Sequence, residues 1–189
     1  MDLKELKDEL GRNSIDAIIN KYILCDVCFC FSNNRDLILE LKGAIAKHFH
    51  IHSKEIEIVG SGKIGFSLNE ERFGKSFDNT SDIDLVIVSS ELFDRAWIEL
   101  LKVDFSCFHR LSEPDKSFLQ ECLGKIHDGN LRPDKLPSVS NFGKHWWEIF
   151  QSLSSQKKYE YRKIRGRLFK NWFCVEKYYS KQLIKLKGA

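Results

Sequence analysis

The sequence predicts an α+β fold: a small mixed β-sheet core flanked by helices, with a helical lead-in and a closing C-terminal helix. Three observations lead there. Two short apolar runs rich in β-branched residues, Glu55-Ile56-Glu57-Ile58-Val59 and Leu85-Val86-Ile87-Val88, have the length and composition of buried strands. Around them lie longer stretches with apolar residues at helical spacing, several preceded by a Ser or Asn suited to capping. The 189 residues are 42% hydrophobic, enough to bury one core, so a single domain over 1–189 is expected.

Asp2 to Leu10 and Ser14 to Leu24 predict short helices, broken at Gly11-Arg12-Asn13 and capped by Asn13 or Ser14. Asn33-Asn34 opens a third, Arg35 to His48, with Leu37, Ile38, Leu41 and Ile45 on one side. Residues 1–50 are thus a helical lead-in. The core, 55–103, follows with the first strand, the turn Gly60-Ser61-Gly62, a polar interval and the second strand. Ser89 or Ser90 then opens a helix through Trp97 to Val103, with Glu91 and Asp94 near its positive end. Phe105 to Ile126 is expected to be helical after Pro114, Gly129 to Pro137 a turn-rich crossing, and Asn141 to Leu153 a further helix. Tyr159 to Arg165 is expected as the sheet's later strand and Gly166 to Lys187 as the closing helix.

Composition narrows the function classes. No apolar run approaches the roughly eighteen residues that span a bilayer, and the start Met1-Asp2-Leu3-Lys4 lacks a secretion signal. A cytoplasmic protein with no membrane partner is expected, and six cysteines agree with a reducing compartment. Cys25, Cys28 and Cys30 invite a zinc reading, but no second Cys/His pair follows at finger or ribbon spacing. Their apolar neighbours Ile23, Leu24, Val27, Phe29 and Phe31 favour buried thiols. His48, His50 and His52 alternate without a carboxylate partner and read as helix-end and loop residues.

The segment that carries chemistry is Ser81-Asp82-Ile83-Asp84-Leu85-Val86-Ile87-Val88, preceded by Val59-Gly60-Ser61. Acids at i and i+2 in a strand point to one side of the sheet. Two like charges held there repel and lose hydration unless a divalent cation lies between them, so Asp82 and Asp84 read as a metal clamp. Gly60-Ser61, at a strand-to-turn junction, can offer backbone amides and a hydroxyl to phosphate oxygens.

In the order strand, Gly-Ser turn, short helix, acid-bearing strand, these residues resemble the signature of the DNA polymerase β-like nucleotidyltransferase superfamily. The likeness covers roughly Ile56 to Ser90 and is to minimal bacterial members, similar to those of anti-phage defence systems. It implies a transferase that uses Mg²⁺ (or Mn²⁺) to move a nucleoside monophosphate from a nucleoside triphosphate, ATP or another NTP or dNTP, to a hydroxyl acceptor with release of pyrophosphate. Asp82 and Asp84 would be the metal-binding catalytic acids, and Gly60, Ser61, Gly62, Lys63 and Ser81 the nucleotide-binding residues. Lys63 reads equally as a phosphate contact or as a solvated turn lysine. The superfamily usually adds a third carboxylate on a later strand; Glu160 is the only acid between Tyr159 and Arg167 and is the candidate, ahead of Asp128 and Asp134. The interval between Ser61 and Asp82 is longer than usual and reads as an inserted polar loop, Asn69 to Thr80, over the nucleotide site.

The acceptor is left open by the motif. From Gln156 to Ala189 there are eleven Lys or Arg against two acids, a net of +9, while the preceding residues carry nineteen against twenty-five, a net of −6. A basic, aromatic-rich end suggests a partner made of phosphates, with Arg162, Arg165 and Lys170 as contacts; the alternative is a solvated basic helix face. Tyr178-Tyr179-Ser180 is a conceivable self-primer. Three functions follow: synthesis of an oligonucleotide or short DNA-like polymer in anti-phage defence; antitoxin-type nucleotidylylation of a toxin protein or tRNA end; or an inactive nucleotidyltransferase-fold regulator that binds nucleic acid. Each implies its own partner, whether a nucleic-acid or protein hydroxyl, an effector or a toxin.

Overall fold

The computed structural model describes residues 3–25, 27–102, 109–136 and 140–187. Asp2, Val103, Phe105 and Pro137, at the ends of expected elements, lie outside them.

The chain begins with helices α1 (Leu3–Arg12) and α2 (Ile15–Ile18), the latter capped by the Ser14 hydroxyl accepting from the Ala17 amide and prolonged by a π-helical turn, Ile19–Ile23. Helix α3 (Arg35–Phe49) is capped by Asn34 and ends at His50, in the left-handed conformation. His52 and Glu55 form a capping box just before strand β1 (Ile56–Val59). The three histidines are therefore helix-end and turn residues, as their sequence suggests. One helical turn, α4 (Ser61–Ile64), leads through the polar loop to β2 (Ile83–Val88). Ser89 caps α5 (Ser90–Leu101), and Ser112 caps α6 (Glu113–Ile126), which has Pro114 in its first turn. Strand β3 (Asn130–Leu131) falls inside the expected turn-rich crossing; α7 (Asn141–Ser154), β4 (Ile164–Phe169) and α8 (Trp172–Lys187) complete the chain.

The four strands form one mixed sheet in the order β1-β2-β4-β3. β2 pairs antiparallel with β1 and parallel with β4, and β3 pairs antiparallel with β4. Alternation sends Ile56, Ile58, Ile83, Leu85, Ile87, Ile164 and Leu168 to one face, where they are buried against α3, α5, α6 and α7. The other face carries Val59, Val86, Val88 and Phe169 into a second apolar cluster with Leu6, Leu10, Ile18, Ile19, Val175, Tyr179 and Leu183 from α1, α2 and α8. Gly166 is needed on the first face: a Cβ there would come within 2.4 Å of the Phe150 ring and 2.7 Å of Ile87. Among the described residues no helix is long and apolar enough to cross a membrane.

The later strand begins five residues after the expected Tyr159 and continues to Phe169, which delays the closing helix to Trp172. The reason lies in the backbone. Glu160 (φ 58°) and Tyr161 (φ 54°) sit in the left-handed region, which ends the preceding 3₁₀ turn and excludes a strand there.

Candidate functional site

A cleft opens on the second face of the sheet, where β1 ends and β2 begins. Gly60, at φ 66° and ψ −148°, adopts a conformation essentially confined to glycine. It reverses the chain from β1 into α4 beside Asp84; a Cβ at this position would make an ordinary contact with Asp84 Oδ2 at 3.5 Å, so the backbone angle and not space calls for glycine. Asp82 immediately precedes β2 and Asp84 lies two residues on, so both project from this face. The parallel register then sets Arg165 beside Asp84 and Arg167 beside Val86. Arg165 donates from Nη2 to Asp82 Oδ2 at 2.9 Å. Arg132, just after β3, and Tyr178, Tyr179 and Gln182 of α8 close the remaining sides with Ser67, Leu68 and, from the polar loop, Asn69 alone. The cavity measures about 290 Å³.

Its floor holds an unfavourable charge. The Asp84 carboxyl is pushed above the usual aspartate range, first by burial and then by the charge of Asp82, against the opposing pull of Arg165, Arg167 and Arg132. The side chain still meets solvent through the cleft mouth. Water on a cleft floor is not full hydration, so this openness reduces the penalty without removing it. The arginines are held but not saturated. Arg167 donates to Asn130 Oδ1 at 3.1 Å and lies 4.9 Å above the Tyr178 ring; Arg132 pairs with Asp134 at 2.6 Å; the buried Nε of Arg165 has no acceptor.

Of the residues anticipated from sequence, Gly60, Ser61, Asp84 and Arg165 line the cleft, and Asp82 reaches its edge through Arg165. Gly62 is buried behind them, packed on Ile58, Phe77 and Cys30. Lys63 is a correction. Its side chain is 1% exposed and turns away from the cleft, donating to Glu57 Oε1 at 2.7 Å and to the Cys25 carbonyl. Glu57 takes Lys42 on its other oxygen at 2.6 Å, so Lys63 ties the turn to the Cys25–Cys30 segment and has no free charge for phosphate. Cys28 and Cys30 are buried thiols as expected, with Cys28 Sγ donating to the Gly62 carbonyl at 3.2 Å.

Glu160, Ser81 and Arg162 are corrected likewise. Glu160 stands in the left-handed turn before β4, exposed and accepting from Arg162 Nε at 2.7 Å, and not on the strand. The position on β4 in register with Asp84 belongs to Arg165. Asp128 pairs with Lys181 on the surface, and Asp134 with Arg132. Ser81 closes a turn with Asp78 and Thr80, outside the cleft lining. Arg162 is buried, donating to the carbonyls of Asp78 (2.5 Å) and Ser81 (3.3 Å) over the Phe77 ring, and so clamps the loop that leads into Asp82. Lys170 pairs with Asp94 away from the cleft.

Six of the eleven cations of the basic C-terminal fifth stand in ion pairs among the described residues, five of them with acids from elsewhere in the chain. Lys158, Arg162, Arg165, Lys170, Lys181 and Lys185 pair with Glu40, Glu160, Asp82, Asp94, Asp128 and Glu70. Tyr179 is buried in the cleft wall, and half-buried Tyr178 lies between Arg167 and Phe169. Arg132, Arg167 and Gln182 escaped the sequence reading. Arg167 had a signal, being two residues from Arg165 in a strand; Arg132 reaches the site only through the β3–β4 pairing. Among the described residues no group of three or more His, Cys, Asp or Glu is placed to hold a metal ion. Comparison with protein-family models, with curated proteins and with solved structures gives no match.

Proposed function

We propose that the cleft binds the polyphosphate of a nucleoside triphosphate on a nucleotidyltransferase-like core, and that binding, rather than rapid transfer, is its principal activity. The observation that carries this is the convergence of Arg132, Arg165 and Arg167 on a cleft floored by Asp84 and the Gly60-Ser61 turn. Arginine forks suit phosphate oxygens, and all three arginines line the cleft. Ser61 can add a hydroxyl, and the Tyr178 ring backs Arg167.

Asp82 and Asp84, on one side of the strand, suit a single divalent cation that arrives with the triphosphate and completes its shell with water and phosphate oxygens. Such an ion would offset the phosphate charge and the repulsion within the acid pair. The residues do not fit a pair of ions bridged by three carboxylates, because Arg165 occupies the place on β4 beside Asp84. No transfer step is therefore assigned to a second metal here.

Nucleotidyl transfer itself is favoured by one observation, the same-face acid pair set directly against the Gly60-Ser61 turn. In that case the chain's own residues orient the triphosphate, and an acceptor hydroxyl enters from the open side of the cleft. One experiment tests both. Labelled ATP, GTP and deoxynucleotides are titrated with Mg²⁺ or Mn²⁺, and the products are resolved on denaturing gels for the wild type, Asp82→Ala/Asp84→Ala and Arg165→Ala. Saturable binding lost in Arg165→Ala, with little product, supports the binding function. A product ladder or a labelled protein or RNA band, abolished by the double variant, replaces it with transfer. Absence of binding by every nucleotide overturns both.

A further inference from the structure

Strand β4 outruns its outer neighbour. β3 pairs only Leu168 and Phe169, so from Ile164 to Arg167 the outer edge of β4 has no strand partner among the described residues. Such an edge presents backbone groups that are normally paired or covered. Here it borders a groove of about 370 Å³ between β4 and α7. Arg132 and Arg165 line this groove as well as the first cleft, so the two are continuous through a pair of guanidinium groups.

The far wall is built by α7. Phe142, Trp146 and Phe150 recur every four residues and stack inward, with ring centroids 5.3 to 6.0 Å apart. The next position turns outward: Trp147 borders the groove and is 57% exposed. Trp146, 1% exposed, backs the groove from the core side. Exposed Lys163 stands at the entrance, in no ion pair among the described residues, although most neighbouring cations of the C-terminal segment are paired.

We propose that this groove binds single-stranded nucleic acid, with a base against the Trp147 indole and phosphates tracking from Lys163 to Arg165 and Arg132. An exposed indole beside a line of cations is the combination that holds unpaired bases, since every base offers a π-face and every nucleotide a phosphate. A duplex buries its base faces and cannot use the indole. The groove rests on the nucleotide-binding proposal only through the two shared arginines.

The test is fluorescence anisotropy with a labelled single strand of about ten nucleotides, its duplex as competitor, and ATP titrated separately against the same proteins. Expected are saturable single-strand binding, weaker competition by the duplex, and a loss of roughly tenfold or more in Trp147→Ala with recovery in Trp147→Phe, the size of one base stack. Lys163→Gln should flatten the salt dependence, since one phosphate contact fewer releases fewer counterions. ATP affinity should be unchanged in both variants. Failure to bind the single strand, or equal binding by Trp147→Ala and Lys163→Gln, overturns the groove whatever ATP does. Trp147-dependent strand binding without ATP binding supports the groove and overturns the cleft.

Discussion

On one face of the sheet Ile83, Leu85 and Ile87 of β2 stand among Ile56, Ile58, Ile164 and Leu168, every one buried. On the other face the same strands present Asp84, Arg165 and Arg167 before they reach Val86, Val88 and Phe169. Alternation alone produces the division, because neighbouring residues in a strand must point to opposite sides. What differs is the cover. Along β1 and β2 the first face is covered by helices and it opens at the outer edge of β4, in the groove beside α7, whereas on the second α1, α2 and α8 cover the apolar half and leave the charged half as a cleft. The molecule thus keeps cohesion and ligand chemistry on opposite sides of one strand, and a change on either side should show in one property and not the other.

The largest effect should come from the first face. Ile87→Ala removes a fully buried side chain and should cost about 2–5 kcal/mol in denaturant unfolding. Nucleotide affinity of the folded protein should be unchanged; a matching fall in affinity would show that the two faces are not separable. Next come two arginines three residues apart. Arg162→Ala strips the donor from the Asp78 and Ser81 carbonyls and should cost about 1–3 kcal/mol, with the loop before Asp82 loosened. Arg165→Ala, which loses a half-exposed ion pair, should lower stability by less than about 1 kcal/mol while abolishing triphosphate binding. If their effects were exchanged, the division between clamp and ligand arginine would be wrong.

Gly60→Ala should cost about 1–3 kcal/mol by straining the backbone, and relief of that strain should shift the turn that carries Ser61 and weaken nucleotide binding. Asp84→Asn goes the other way: the ionised carboxylate is disfavoured in the fold, so the amide should raise the melting temperature slightly in metal-free buffer at neutral pH. A lower melting temperature would mean that the arginines outweigh the burial. The smallest effect is an acid one, seen in melting curves across pH. Bonds from Thr80, chiefly, and from Ser81 hold the Asp78 carboxyl down at about 2, below the ordinary 3.8. Its contribution is present above 3.8 and is lost as pH falls through about 2; Asp78→Asn should remove that part of the acid sensitivity.

Much of the frame was legible in the chain. The capping residues Ser14, Asn34 and Ser89 mark helix starts within a residue or two because a cap is a local bond to the first turn. β1, β2 and the common face of Asp82 and Asp84 follow from β-branched runs and a period of two. The late strand was misplaced because Tyr159 to Arg165 looks strand-like in composition, whereas left-handed Glu160 and Tyr161 are stabilised by a tertiary contact, the seating of Arg162 over Phe77. Lys63 misled for a similar reason: beside a Gly-Ser turn a lysine reads as a phosphate ligand, but its partner is Glu57, already committed to Lys42.

By itself the sequence determined strands β1 and β2, the helical flanks and the turn-and-acid-pair motif, since these depend on residues close along the chain. Only the tertiary structure decided which cations meet that motif. Arg132, Arg165 and Arg167 gather there because β4 pairs in parallel with β2 and β3 closes on β4, while Lys63, Arg162 and Lys170 are spent on Glu57, the loop carbonyls and Asp94. The physical reason is that charge is assigned by distance in space: a strand register between residues some eighty positions apart brings an arginine to Asp84, and nothing in the local pattern around either residue records that pairing.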